Sequence, residues 1–121
     1  MVKDRIDLNI PAKPDYISLV RLTTSGIGHN MNFNIEEIED IKVCVGEACV
    51  NVINLSDINE ISIIYIVKED KLTIKVNDMT KNIDDKLNNS QEAELGLLII
   101  KSLMDEVGFT KDGIEMTKYI E

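Results

Sequence analysis

The chain has little to build with outside the aliphatic series: no tryptophan, two phenylalanines and three tyrosines among 121 residues. Aromatics are 4% against 44% hydrophobic overall, so a core has to come from Ile, Val and Leu. That hydrophobic share is ordinary for a globular protein and excludes a disordered chain. The length bounds it to one domain, residues 1–121, with one core. Positive charge is scarce too, with 13 Lys and Arg against 22 Asp and Glu and a formal net charge of −9. Phosphate backbones require a basic footprint, so nucleic acid is not an expected partner. An anionic membrane surface is excluded on the same ground. A basic patch on a partner protein, or plain solubility, is what such a charge serves. No apolar run approaches the roughly 20 residues that span a bilayer, and "MVKDRIDLNI" has no apolar signal core. The only cysteines are Cys44 and Cys49. On one helix at that spacing they point in different directions and cannot bridge. Without further Cys or His ligands they make a poor metal site. They read as buried, reduced core residues of a cytoplasmic protein.

What is present is periodicity. "RIDLNI" alternates Ile6, Leu8 and Ile10 with polar residues, the period of a half-buried strand. "PAKP" breaks it. From Asp15, a candidate cap, Ile17, Leu19, Val20, Leu22 and Ile27 predict a helix, which Gly26 and Gly28 end or weaken. A second helix opens with Asn34 and Glu37 at capping-box spacing. Ile38, Ile41, Val45, Ala48 and Val52 then form one apolar stripe, as far as about Leu55. "EISIIYIV" and "KLTIKVND" flank "KED" and predict a hairpin. A polar loop from Met79 to Glu92 leads to a third helix, Ala93 to about Val107, apolar on most sides and so expected to be buried, with Gly108 as its C-terminal cap. "GIEMTKYI" closes as a strand. The order βααββαβ predicts an α+β two-layer sandwich, a mixed and mostly antiparallel sheet with helices on one face. Such a sandwich leaves room for a ligand between its layers.

Three features carry chemistry. In "VGEACVNVI" Glu47 and Asn51 stand one above the other on the second helix, edging an apolar surface. A carboxylate placed there needs compensation, which a metal would give, since Mg²⁺ takes oxygen ligands and bridging phosphates. It is also suited to general-base work. The alternative is an ordinary, partly exposed helix edge. The alternation Leu72, Ile74, Val76, Asp78 places Asp78 on the core-facing side of its strand, where it needs a donor such as an exocyclic amine. The alternative is an aspartate that starts a turn. In "ELGLL", Gly96 near a helix start lets phosphate oxygens approach backbone N–H groups, or serves only close packing.

The order of these features resembles the bacterial anti-sigma factor serine-protein kinases of the RsbW type, within the GHKL superfamily and its Bergerat ATP-binding fold. The resemblance is strongest in "PAKPDYISLVRLTTSG", "IEEIEDIKVCVGEACVNV", "LGLLIIKSLMDEV" and "MTKYI", and covers nearly the whole chain. It implies that Glu47 is the base toward a serine hydroxyl and that Asn51 ligates the Mg²⁺ bridging the ATP phosphates. It implies further that Asp78 accepts a hydrogen bond from the adenine amine, that Thr117 lies near the same adenine, and that Gly96 cradles phosphate. The reaction implied is phosphorylation of an anti-sigma-factor antagonist (a STAS-type protein) by a homodimeric cytoplasmic kinase that also sequesters a sigma factor. Arg21 falls where that family has a partner-binding arginine, and otherwise reads as a solvated helix arginine.

The chain also departs from the family. Leu55 stands where relatives often have His, "DMTKNID" holds no glycine after Asp78, and Glu94 and Leu95 precede the one phosphate-motif glycine. The seventeen residues 79–95 are short for the family's ATP lid. These departures leave a second reading open, a non-catalytic partner-binding regulator of the same fold. A histidine-kinase-like fragment is disfavoured. No helix with a phospho-accepting His is evident, and His29 sits among glycines.

Overall fold

The computed structural model describes residues 3–79 and 91–120. Strand β1 (Asp4–Pro11) is followed by a 3-10 turn at Pro14–Tyr16, then helices α1 (Ile17–Asn30) and α2 (Ile35–Leu55). The hairpin β2 (Glu60–Val67) and β3 (Lys71–Asn77) comes next, then α3 (Gln91–Leu103), β4 (Glu106–Thr110) and β5 (Gly113–Tyr119). The strands form one antiparallel sheet in the order β1-β2-β3-β5-β4. The helices cover one face, with α2 packed between α1 and α3. The fold class is the expected one, α+β with helices on one side of the sheet.

Register decides which side chains meet those helices. Ile61, Ile63 and Tyr65 of β2, Leu72, Ile74 and Val76 of β3, and Ile114 and Met116 of β5 are all at 0% exposure. They pair across the sheet as Ile63–Val76, Tyr65–Ile74, Ile74–Met116 and Val76–Ile114, which puts them on one face. Burying each such aliphatic side chain contributes about 1.5–3 kcal/mol. Tyr65 is the one aromatic among these fully buried strand residues. Its hydroxyl lies 2.8 Å from Thr24 Oγ1 on α1, so its polar end is satisfied inside the core. On β1 the alternation fades toward the start of the strand: Ile10 is buried, Leu8 half-buried and Ile6 38% exposed.

Helix α2 keeps the expected boundaries and cap. Asn34 Oδ1 accepts from the Glu37 N–H at 2.7 Å and Glu37 Oε1 accepts from the Asn34 N–H at 2.9 Å. Cys44 and Cys49 are buried and free, as read.

Three expectations give way to packing. Helix α1 begins after the 3-10 turn rather than at Asp15, and it runs through both glycines to Asn30. A Cβ on Gly28 would stand 2.9 Å from Ile38 Cγ1, so that glycine lets α1 pack closely on α2 and is not a breaker. Helix α3 starts at Gln91, within the expected loop, and stops at Leu103, where Lys118 Nζ donates to the Leu103 carbonyl at 2.8 Å. Residues 80–90 of that loop lie outside the described residues. The chain then forms β4, an added strand that contains Gly108, so the order is βααββαββ. Val107 and Phe109 alternate inward and pair with Met116 and Ile114, which favours strand over further helix. Nor is α3 buried all round: Leu95 and Leu98 are 56% and 61% exposed. Among the described residues no helix is long and apolar enough to cross a membrane.

Candidate functional site

The buried stripe of α2 sets the helix's rotation. With Ile38, Ile41, Val45, Ala48 and Val52 in the core, Glu47 and Asn51 lie along the flank that meets α3. Asn51 is 3% exposed, and its Nδ2 donates to the Ala93 carbonyl at 3.3 Å. That bond fixes the direction of the amide and leaves Oδ1 as its available acceptor. Glu47 is half-buried and has no hydrogen-bond or ion-pair partner among the described residues. Gly96 faces both: a Cβ there would lie 2.9 Å from Glu47 Oε1, 3.5 Å from Asn51 Nδ2 and 3.7 Å from Asn51 Oδ1. The fold thus brings Glu47, Asn51 and Gly96 together. A cavity of about 270 Å³ opens beside them, and Val50, Asn54, Glu92 and Leu95 add to its walls. Asn54 and Glu92 did not stand out in the sequence. The signal for Asn54 was its place three residues past Asn51 on the same helix flank.

Asp78 stands at the edge of this arrangement, and not as the alternation implied. Leu72, Ile74 and Val76 are buried, but Asp78 is exposed with φ of 70°. The left-handed backbone turns its carboxylate outward, and Met79, 2% exposed, takes the buried place. Aspartate is among the few residues that tolerate this conformation. Its N–H donates to the Asp112 carbonyl at 2.7 Å, and its carbonyl accepts from Ser56 Oγ at 3.5 Å. Ser56 is the C-cap of α2, so Asp78 sits where α2 and β3 end side by side. By helical rise Ser56 is about 7.5 Å along the axis from Asn51.

Thr117 is not brought to the cluster. It pairs with Thr73, the two hydroxyl oxygens 3.0 Å apart, on the sheet face away from the helices. On β5 the helix-facing positions belong to Ile114 and Met116. Strand side chains alternate, so a place one residue off puts Thr117 on the far side from Glu47 and Asn51.

Arg21 is exposed on α1, with its guanidinium laid against α2. A Cβ on Gly46 would be 3.1 Å from both Nε and Nη2. It therefore lies beside the residue preceding Glu47, without an ion pair among the described residues.

A family model described as "Histidine kinase-like ATPase domain" matches residues 10–118. The chain belongs to this family. Among curated relatives of this histidine kinase-like ATPase domain is a "Serine-protein kinase RsbW" of Listeria monocytogenes serotype 4a, 38% identical over 97% of this chain and 88% of the relative. Proteins of the same name from Bacillus cereus (strain Q1) and Bacillus mycoides are 34% and 32% identical, each over 98% of this chain and 86% of the relative. The Bacillus cereus alignment runs to 140 positions, more than the 121 residues of this chain, so that relative carries segments this chain lacks.

An ATPase family implies nucleotide, and the donor set here fits a nucleotide-bound Mg²⁺. The side chains at hand, the Asn51 amide oxygen and the Glu47 carboxylate, are hard oxygen donors. Among the described residues no group of three or more His, Cys, Asp or Glu forms an all-protein metal cage. Mg²⁺ usually takes one or two protein oxygens and completes its shell with water and substrate phosphates.

Proposed function

We propose that this chain is a Mg-ATP-dependent serine-protein kinase that phosphorylates an anti-sigma-factor antagonist and, as a cytoplasmic homodimer, also holds a sigma factor. The observation that carries this reading is the convergence of Glu47, Asn51 and Gly96 beside an open cavity. The names of the relatives support the kinase class. Bound Mg²⁺ would neutralise charge on the transferring phosphoryl oxygens. Asn51 Oδ1 would supply the protein oxygen for that ion, with Nδ2 tied back to Ala93. The Glu47 carboxylate would take the proton of the acceptor serine as the serine oxygen bonds to the γ-phosphorus and the bond from that phosphorus to the β-phosphate oxygen breaks, with ADP as the leaving group. A half-buried carboxylate without a competing partner among the described residues can accept that proton. Asp78 holds its carboxylate outward at the end of β3, available to an exocyclic amine of the base. Arg21, on the exposed side of α1, would meet the partner protein.

The test is calorimetric titration with Mg-ADP. Wild type is expected to bind, and Asn51→Ala to weaken binding at least about tenfold, or about 1.4 kcal/mol. Wild-type protein that binds no nucleotide at millimolar concentration overturns the reading. A second reading, a partner-binding regulator without phosphoryl transfer, is favoured by the glycine-free "DMTKNID" and by the segments that the Bacillus cereus relative has and this chain lacks. Labelled phosphate transfer to an antagonist, lost in Glu47→Ala, decides between them.

A further inference from the structure

We infer that Gly96 is a positioning residue for Glu47: its missing side chain is the space that the base's carboxylate occupies against α3. This rests on the kinase reading and differs from a phosphate-cradling role for the same glycine. Gly96 is buried within α3, where glycine is a poor helix former, so packing rather than propensity accounts for it. A Cβ at Gly96 meets the two site residues unequally. It would stand 2.9 Å from Glu47 Oε1, closer than such atoms approach, but 3.5 and 3.7 Å from the Asn51 amide, which is ordinary contact. Glu47 Oε1 is the far end of a flexible side chain, so the added methyl moves the carboxylate rather than the helix. Asn51 stays, held by its bond to the Ala93 carbonyl. One methyl group therefore separates the base from the metal ligand. A cradle glycine makes the opposite prediction, since alanine would then block phosphate and nucleotide affinity would fall.

The experiment is Gly96→Ala in the full chain, alone and combined with Glu47→Ala. Turnover is expected to fall roughly 10- to 100-fold, the range for a misplaced catalytic group. Calorimetric affinity for Mg-ADP is expected to change less than about threefold and the thermal midpoint to hold or rise, because alanine favours helix. In the Glu47→Ala background the same change is expected to leave whatever residual turnover remains unaltered, as it acts through Glu47. In the nucleotide-free protein the Glu47 carboxyl ¹³C resonance is expected to shift in Gly96→Ala while the Asn51 side-chain amide does not. An unmoved Glu47 resonance, or a loss of Mg-ADP affinity that matches the loss of turnover, overturns the inference. A wild-type chain that transfers no phosphate while the Glu47 resonance still moves overturns the kinase reading and leaves the contact standing.

Discussion

Cys44 and Cys49 lie against the core side of α2, and burial pushes both thiols up to about 12, with Asp40 a lesser cause at Cys44. Burial raises the Tyr65 hydroxyl to about 12 as well. Each group is held protonated by the fold, so its contribution is complete below the unfolded pKa, near 8.5 for a thiol. It is lost as pH climbs toward the folded value. Urea midpoints measured between about pH 8 and pH 10.5 should therefore fall, by at least about 1 kcal/mol of stability. Both thiols should resist alkylation in native protein at about pH 8 and react in urea. The residues of the site were legible to different degrees for similar geometric reasons. Glu47 and Asn51 share a helix flank at a spacing that tolerates small errors of phase, and Gly96 interrupts an apolar helix. Asp78 depends on strand alternation, which one left-handed residue overturns, while Thr117 was implied by resemblance alone and stands on the sheet face opposite Ile114 and Met116. The close approach of Arg21 to Gly46 joins two helices and has no local signature.

Among the elements, α2 was the most legible because cap, stripe and length agree. Its capping box is complete, with both reciprocal hydrogen bonds present. Asn34→Ala should cost about 1 kcal/mol, seen as a lowered urea midpoint with unchanged slope. Asn34→Ser should retain most of that stability, since serine also accepts from the third residue's N–H. The hairpin of β2 and β3 was equally clear, because "KED" separates two runs rich in β-branched residues. The end of α3 was hidden. "SLMDEVGF" continues an apolar pattern without a break, and the stop is imposed from outside by Lys118 on the Leu103 carbonyl and by the Asp105 N–H bond to the Thr117 carbonyl. The glycines of α1 misled for the same reason, since Ile38 of another helix explains Gly28.

For the whole molecule, nucleotide should act as a folding ligand. If Mg-ADP binds only the native state, 100-fold excess over Kd adds about 2.7 kcal/mol. In a chain of this size that raises the thermal midpoint by roughly 5–15 °C. Chelating the metal with EDTA should remove most of the rise, and Asn51→Ala should show little of it in either condition. The architecture that holds the site was readable because strand and helix periods differ along the chain. The order of strands was not, because nothing local says that β5 inserts between β3 and β4.

That order has a consequence in time. Two of the sheet's seams, β2 with β3 and β4 with β5, close across short turns and can form early. The pairing of β1 with β2 joins Ile10 to Ile61, with α1 and α2 inside the loop it closes. Lengthening a loop adds little at equilibrium, about 0.6 kcal/mol per doubling. Non-local pairing slows folding much more. The helix that carries Glu47 and Asn51 is thus enclosed by the sheet's most distant contact, while its partner Gly96 lies inside the second-longest, the loop closed by β3 with β5.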